Sequence, residues 1–102
     1  MIRHIAPAVT ALQAQAAANF FLNENLPDRF SADQPQLSGL GEAWTVPVIL
    51  SYPFIGSIGP VGEILVGLDS EKIISHTPLA EMKQRAVELY ALHQDDIEAA
   101  FS

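Results

Sequence analysis

The sequence predicts an α+β domain: a small antiparallel sheet of three to four strands, running as a meander, with an N-terminal and a C-terminal helix packed on one of its faces. Three observations lead there. Good helix formers with apolar residues three or four apart occupy both ends of the chain. Between them, runs of period-two alternation are separated by turn residues. From Ala43 to Gly62 there are 20 residues without a charge, a composition suited to a buried strand and an apolar loop.

The first helix is expected over 7–25, with Pro7 suited to a first turn. Val9, Leu12, Ala16 and Phe20 form its apolar stripe, and the alanines at 14 and 16–18 keep it slim enough for a neighbour to approach closely. Leu26-Pro27 ends it. The segment 28–40 reads as a loop leading to a weak edge strand, because Pro35 has no N–H to give to a ladder. Gly39 and Gly41 mark a turn.

The strongest strand signal is Ala43 to Tyr52, with Trp44, Val46, Val48, Leu50 and Tyr52 on one face and Thr45, Pro47, Ile49 and Ser51 on the other. Pro47 predicts a bulge or an unpaired position. Pro53 to Pro60 reads as a Gly/Pro loop, Val61 to Leu68 as the next strand, and Ile73-Ile74-Ser75 as a short return strand. Thr77-Pro78 has the form of a helix start, a hydroxyl cap before Pro. The last helix is expected over 78–100, with Leu79, Met82, Ala86, Leu89, His93 and Ile97 on one face and a Glu81–Arg85 pair outside.

The 102 residues suit one domain, 1–102, with no linker or repeat. The hydrophobic fraction is 49 % and the charged fraction 17 %, against about 25 % charged in an ordinary domain. A small domain has little interior, so the surplus implies burial between copies, and a homodimer is expected. The net charge of −7, with Arg3, Arg29, Lys72, Lys83 and Arg85 scattered, argues against nucleic acid and against an anionic membrane surface. The uncharged stretch has the nominal length of a membrane span, but Pro47, Pro53, Pro60, Gly56, Gly59 and Gly62 would break that helix. The N-terminus imitates a signal peptide ending in Ala14-Gln15-Ala16, yet Pro7, Thr10 and Gln13 interrupt its apolar part, so a cytoplasmic location is expected. With no cysteine there is neither a disulfide framework nor a thiolate site.

The residues bearing chemistry are few. His4, His76 and His93 lack the HxH or HExxH spacing of a metal site, so neither metal nor cofactor is expected. Asp95, Asp96 and Glu98 fall near the end of the expected last helix, where the dipole disfavours them, and would suit a basic partner. Glu63 stands in an apolar strand. On a covered face it is a candidate acid or base, and on an open face a solvated carboxylate. No catalytic motif is present. The loop 52–60 is the most unusual feature, because Phe54, Ile55 and Ile58 sit among backbone-bending residues where loops are ordinarily polar.

Trp44-x-Val46-x-Val48, Gly62-Glu63-Ile64-Leu65-Val66 and Lys72-Ile73-Ile74-Ser75 together resemble the sheet of PepSY-type domains, with Asp69 and Ile73 representing the family's Asp-x-x-x-Gly-x-Ile/Val pattern at a spacing two residues shorter. Lys72 stands where that pattern has glycine, and the long C-terminal helix is extra. The stretch from Gly62 to Met82 also resembles small bacterial proteins of uncharacterised activity. The PepSY resemblance implies a binding or inhibitory role.

These readings converge on a non-catalytic protein-binding or regulatory module. It is expected to act as a homo-oligomer through Tyr52, Phe54, Ile55 and Ile58, with a further protein partner as an option. Two alternatives stand beside it. One is a small-ligand-binding protein with a pocket between the alanine-rich helix and the Trp44 face. The other is a small enzyme built on Glu63, with Trp44 and His76 as further ligand or acid–base candidates.

Overall fold

The computed structural model describes residues 8–39 and 41–100. Helix α1 (Ala11–Asn25) is followed by strands β1 (Phe30–Ala32), β2 (Gln36–Leu37), β3 (Ala43–Tyr52), β4 (Gly56–Gly67) and β5 (Ile73–His76), then by helices α2 (Leu79–Leu92) and α3 (Gln94–Ala100). The strands pair antiparallel in the order β1-β3-β4-β5, and β2 lies beside β3 beyond the end of β1. This is the expected α+β architecture. Ala14, Ala18 and Leu22 of α1 and Met82 of α2 join Val46, Val48, Leu50, Val61, Ile64 and Val66 in one core cluster, so both helices cover the same sheet face.

α1 starts later than expected. Thr10 is its N-cap in a capping box: the Gln13 N–H donates to Thr10 Oγ1 at 3.1 Å, and the Thr10 N–H donates to Gln13 Oε1 at 2.8 Å. Pro7 lies outside the described residues, as do His4 and the start of the signal-like segment. The apolar stripe also differs. Val9 is buried, but Leu12, Ala16 and Phe20 face solvent, while Ala14, Ala18 and Leu22 meet the sheet. Alanine has only a Cβ, so that side lets the helix axis come closest to the strands. Gln15 Nε2 donates to the Ala32 carbonyl at 3.1 Å and the Ala32 N–H donates to Asn19 Oδ1 at 2.8 Å, tying the helix to β1.

The expected edge strand is split in two around the buried Pro35. β1 covers Val48–Leu50 and β2 covers Trp44–Thr45, leaving Pro47 opposite the gap. The Pro47 carbonyl accepts from the Asp33 N–H at 2.8 Å, so the proline nitrogen points the same way, where no strand asks for a donor.

β4 begins at Gly56 rather than Val61, and the expected loop shrinks to Pro53, Phe54 and Ile55. Register shifts between Val48 and Ile49 and between Leu50 and Ser51 take up the irregularity, so Pro60 pairs opposite Ile49 inside the ladder. The last helix is broken at His93 into α2 and α3. Its capping also departs from expectation: Pro78 is the N-cap with no side-chain bond, and Thr77 Oγ1 accepts from the Glu63 N–H instead. Gly62 makes this closeness possible, since a Cβ there would lie 2.8 Å from Thr77 Cβ and 3.1 Å from Met82 Cγ.

The molecule is elongated, with extents of 60 × 24 × 22 Å and a radius of gyration of 15.4 Å, against about 13 Å for a spherical domain of this size. Elongation enlarges the surface, and Leu12, Phe20, Leu37, Phe54, Ile74, Val87 and Leu92 are exposed. No helix among the described residues is long and apolar enough to cross a membrane.

Candidate interaction surface at the hairpin tip

β3 and β4 close at Tyr52 opposite Gly56. The Ile55 N–H donates to the Tyr52 carbonyl at 3.2 Å, with Pro53 second and Phe54 third in the turn. Proline presets the second position, and Phe54 takes φ 72° at the third, a left-handed value that turns of this pattern ordinarily assign to Gly or Asn. A phenylalanine there carries strain of about 1 kcal/mol. The residue is 91 % exposed. Gly56, at φ 90°, completes the reversal.

Beside the tip runs an open groove of about 310 Å³, lined chiefly by Pro27, Phe30, Leu50, Tyr52, Val87 and Tyr90, with Arg29 at its side. The Tyr52 and Tyr90 rings are tilted at 46° with centroids 6.4 Å apart, and the Arg29 guanidinium lies 5.1 Å from the Tyr52 centroid. That distance is a cation–π contact. It holds the Tyr52 ring in place at the groove wall.

The expected contact residues therefore divide. Tyr52 and Ile58 are half-buried and rest against the core, Ile55 is half-buried in the turn, and Phe54 projects. Sequence reasoning missed Val87 and Tyr90, which approach the tip from α2. Their signal was their position off the buried face of that helix, since Val87 is 63 % exposed.

The candidate ligand and acid–base residues are not brought together. Trp44 sits at the opposite end of β3 from Tyr52, and its Nε1–H donates to the Val9 carbonyl at 2.8 Å. Glu63 is exposed and opposite Pro47. It lines an open groove of about 370 Å³ with Thr77, Glu81 and Arg85, and Arg85 pairs with Glu81 at 3.2 Å. His76 pairs with Ile64 on the core-facing side; its Nδ1 lies 2.8 Å from the Thr77 carbonyl and its ring centroid 4.7 Å from that of Phe21. Among the described residues, no three His, Asp or Glu side chains are grouped so as to hold a metal ion.

The acidic cluster changes meaning. Because α3 starts anew at Gln94, Asp95 and Asp96 occupy a first turn, where the helix dipole favours them. They remain exposed, as does Glu98.

No model of a known protein family matches the chain, and neither a curated protein nor a solved structure is similar to it.

Proposed function

We propose that the protein is a non-catalytic protein-binding module, acting as a homo-oligomer, whose contact surface is the β3–β4 hairpin tip. One observation carries the reading: Phe54 is held at φ 72° and 91 % exposed beside an aromatic groove. An exposed aromatic on a strained backbone is a double cost to the isolated chain, and such costs cluster at sites of recognition. Tyr52 and Ile55 flank the knob, and Ile58 steadies the strand behind it. The likeness to PepSY-type domains leans the same way, toward binding or inhibition. The exposed Asp95, Asp96 and Glu98 add a negative end that would steer a basic partner.

The test is light scattering coupled to size exclusion on the wild type and on Phe54→Ser, with circular dichroism on both. The wild type should exceed the 11.0 kDa chain mass, and Phe54→Ser should lower the assembled mass while keeping the native spectrum. An unchanged mass in a folded Phe54→Ser protein overturns the reading. So does a spectrum showing that Phe54→Ser unfolds, which would make the tip part of the core.

A further inference from the structure

α1 is apolar on two opposite sides. Ala14, Ala18 and Leu22 bury one side, and Leu12, Ala16 and Phe20 lie along the other, four residues apart. Leu12 is 75 % and Phe20 67 % exposed. Only Glu24 is charged in the helix, although the whole chain carries −7. Copies of so acidic a protein repel one another over much of their surface, and along this face α1 itself adds only Glu24 to that repulsion.

The face also complements itself. A two-fold axis through Ala16 of an antiparallel pair sets Leu12 against Phe20 of the second copy, and Phe20 against its Leu12. That reciprocity is what an isologous contact requires. Each end then holds one Leu and one Phe, so the helices stay evenly spaced, and Ala16 at the centre lets them approach. A parallel pair would instead crowd two Phe20 rings at one end and bring the two Glu24 carboxylates together. The antiparallel pair carries each Glu24 toward the N-terminal end of the opposing α1, whose own first turn has no acidic residue. A groove of about 470 Å³ along the Phe20–Phe21 side, lined by Ile73 and edged by Glu24 and Glu71, leaves room for the opposing side chains.

We infer that two copies of the chain pair antiparallel through the Leu12–Ala16–Phe20 face of α1. This surface is separate from the hairpin tip, and the two assignments stand or fall independently. A contact made by one helix face is a small one, so assembly is followed over a series of protein concentrations.

The chain has no cysteine, which makes cross-linking a direct test. Packed helix axes lie about 8–10 Å apart and each Cα about 2.3 Å off its axis, so facing Cα atoms at the crossing come within roughly 4–5 Å, inside disulfide reach. Under mild oxidation Ala16→Cys should convert to a covalent dimer. Leu12→Cys and Phe20→Cys should each form no covalent dimer alone and cross-link when mixed. Efficient cross-linking of Leu12→Cys alone would mean a parallel pair and overturn the proposal. No cross-linking of Ala16→Cys would overturn it too.

Mass measurements separate this contact from the hairpin. A Phe54→Ser chain should still reach twice the monomer mass, and adding Ala16→Glu should halve it with the circular dichroism spectrum unchanged. A monomeric Phe54→Ser chain removes the α1 contact. A Phe54→Ser chain with the full wild-type mass that Ala16→Glu then halves supports the α1 contact and removes the hairpin assignment.

Discussion

Thr77 and Glu63 exchange two backbone-anchored hydrogen bonds: the Glu63 N–H donates to Thr77 Oγ1 and the Thr77 N–H donates to the Glu63 carbonyl, both at 2.9 Å. The residue expected to cap α2 thus extends the β4 ladder beyond β5 and fixes where the helix leaves the sheet. Thr77→Val keeps the shape but removes the hydroxyl, leaving the Glu63 N–H without that acceptor. A loss of about 1 kcal/mol is expected in urea unfolding, with no change in assembled mass, because the hairpin tip and the outer face of α1 are untouched.

Gly62 lies under the same junction. An added Cβ would come 2.8 Å from Thr77 Cβ and Oγ1 and 3.1 Å from Met82 Cγ. Met82 is fully buried and has nowhere to move. Gly62→Ala should therefore destabilise by about 1–3 kcal/mol through overpacking, read as a lower midpoint of thermal unfolding. Gly39→Ala, with nothing within 4 Å of its added Cβ, is the control and should leave the midpoint nearly unchanged.

The two junction residues also mark how far the sequence can be read. Alternation from Trp44 to Tyr52 is enough to place Val46, Val48 and Leu50 in the core, because period two offers only two faces and one is plainly more apolar. In α1 the period is equally clear, yet both sides are apolar, and the pattern alone selects the larger residues. The structure buries the alanines, since close approach of helix to sheet outweighs side-chain size there. The density of Gly and Pro at 53–60 reads as loop, but Pro60 is accommodated by a shifted register next to Ile49, a tertiary feature with no local signature. The hairpin site was legible in part. Phe54 stands out from composition, while Val87 and Tyr90 join it only through the packing of α2 on β4.

Strain at Phe54 gives the contact surface a signature of its own. Phe54→Gly relieves the positive φ and removes an exposed ring, so stability should rise by about 1 kcal/mol even as assembly through the tip is lost. Urea midpoints and light scattering on the same samples check both halves. A residue present only for packing would move stability the other way.

Trp44 tests the opposite end of the sheet. Its Nε1–H donates to the Val9 carbonyl at 2.8 Å, and the Val9 N–H donates to the Leu68 carbonyl at 2.9 Å, so the segment ahead of α1 is clamped to the edge of the core. Val9 is 3 % exposed, and water is poorly placed to replace the indole. Trp44→Phe retains most of the ring's packing but leaves that carbonyl without its donor, at a cost of about 1–2 kcal/mol. Because the variant lacks the chain's one tryptophan, the loss is read by circular dichroism rather than fluorescence. Amide exchange gives the location: the Val9 N–H should lose protection well before those of Val46 and Val48, which lie within the central strand β3.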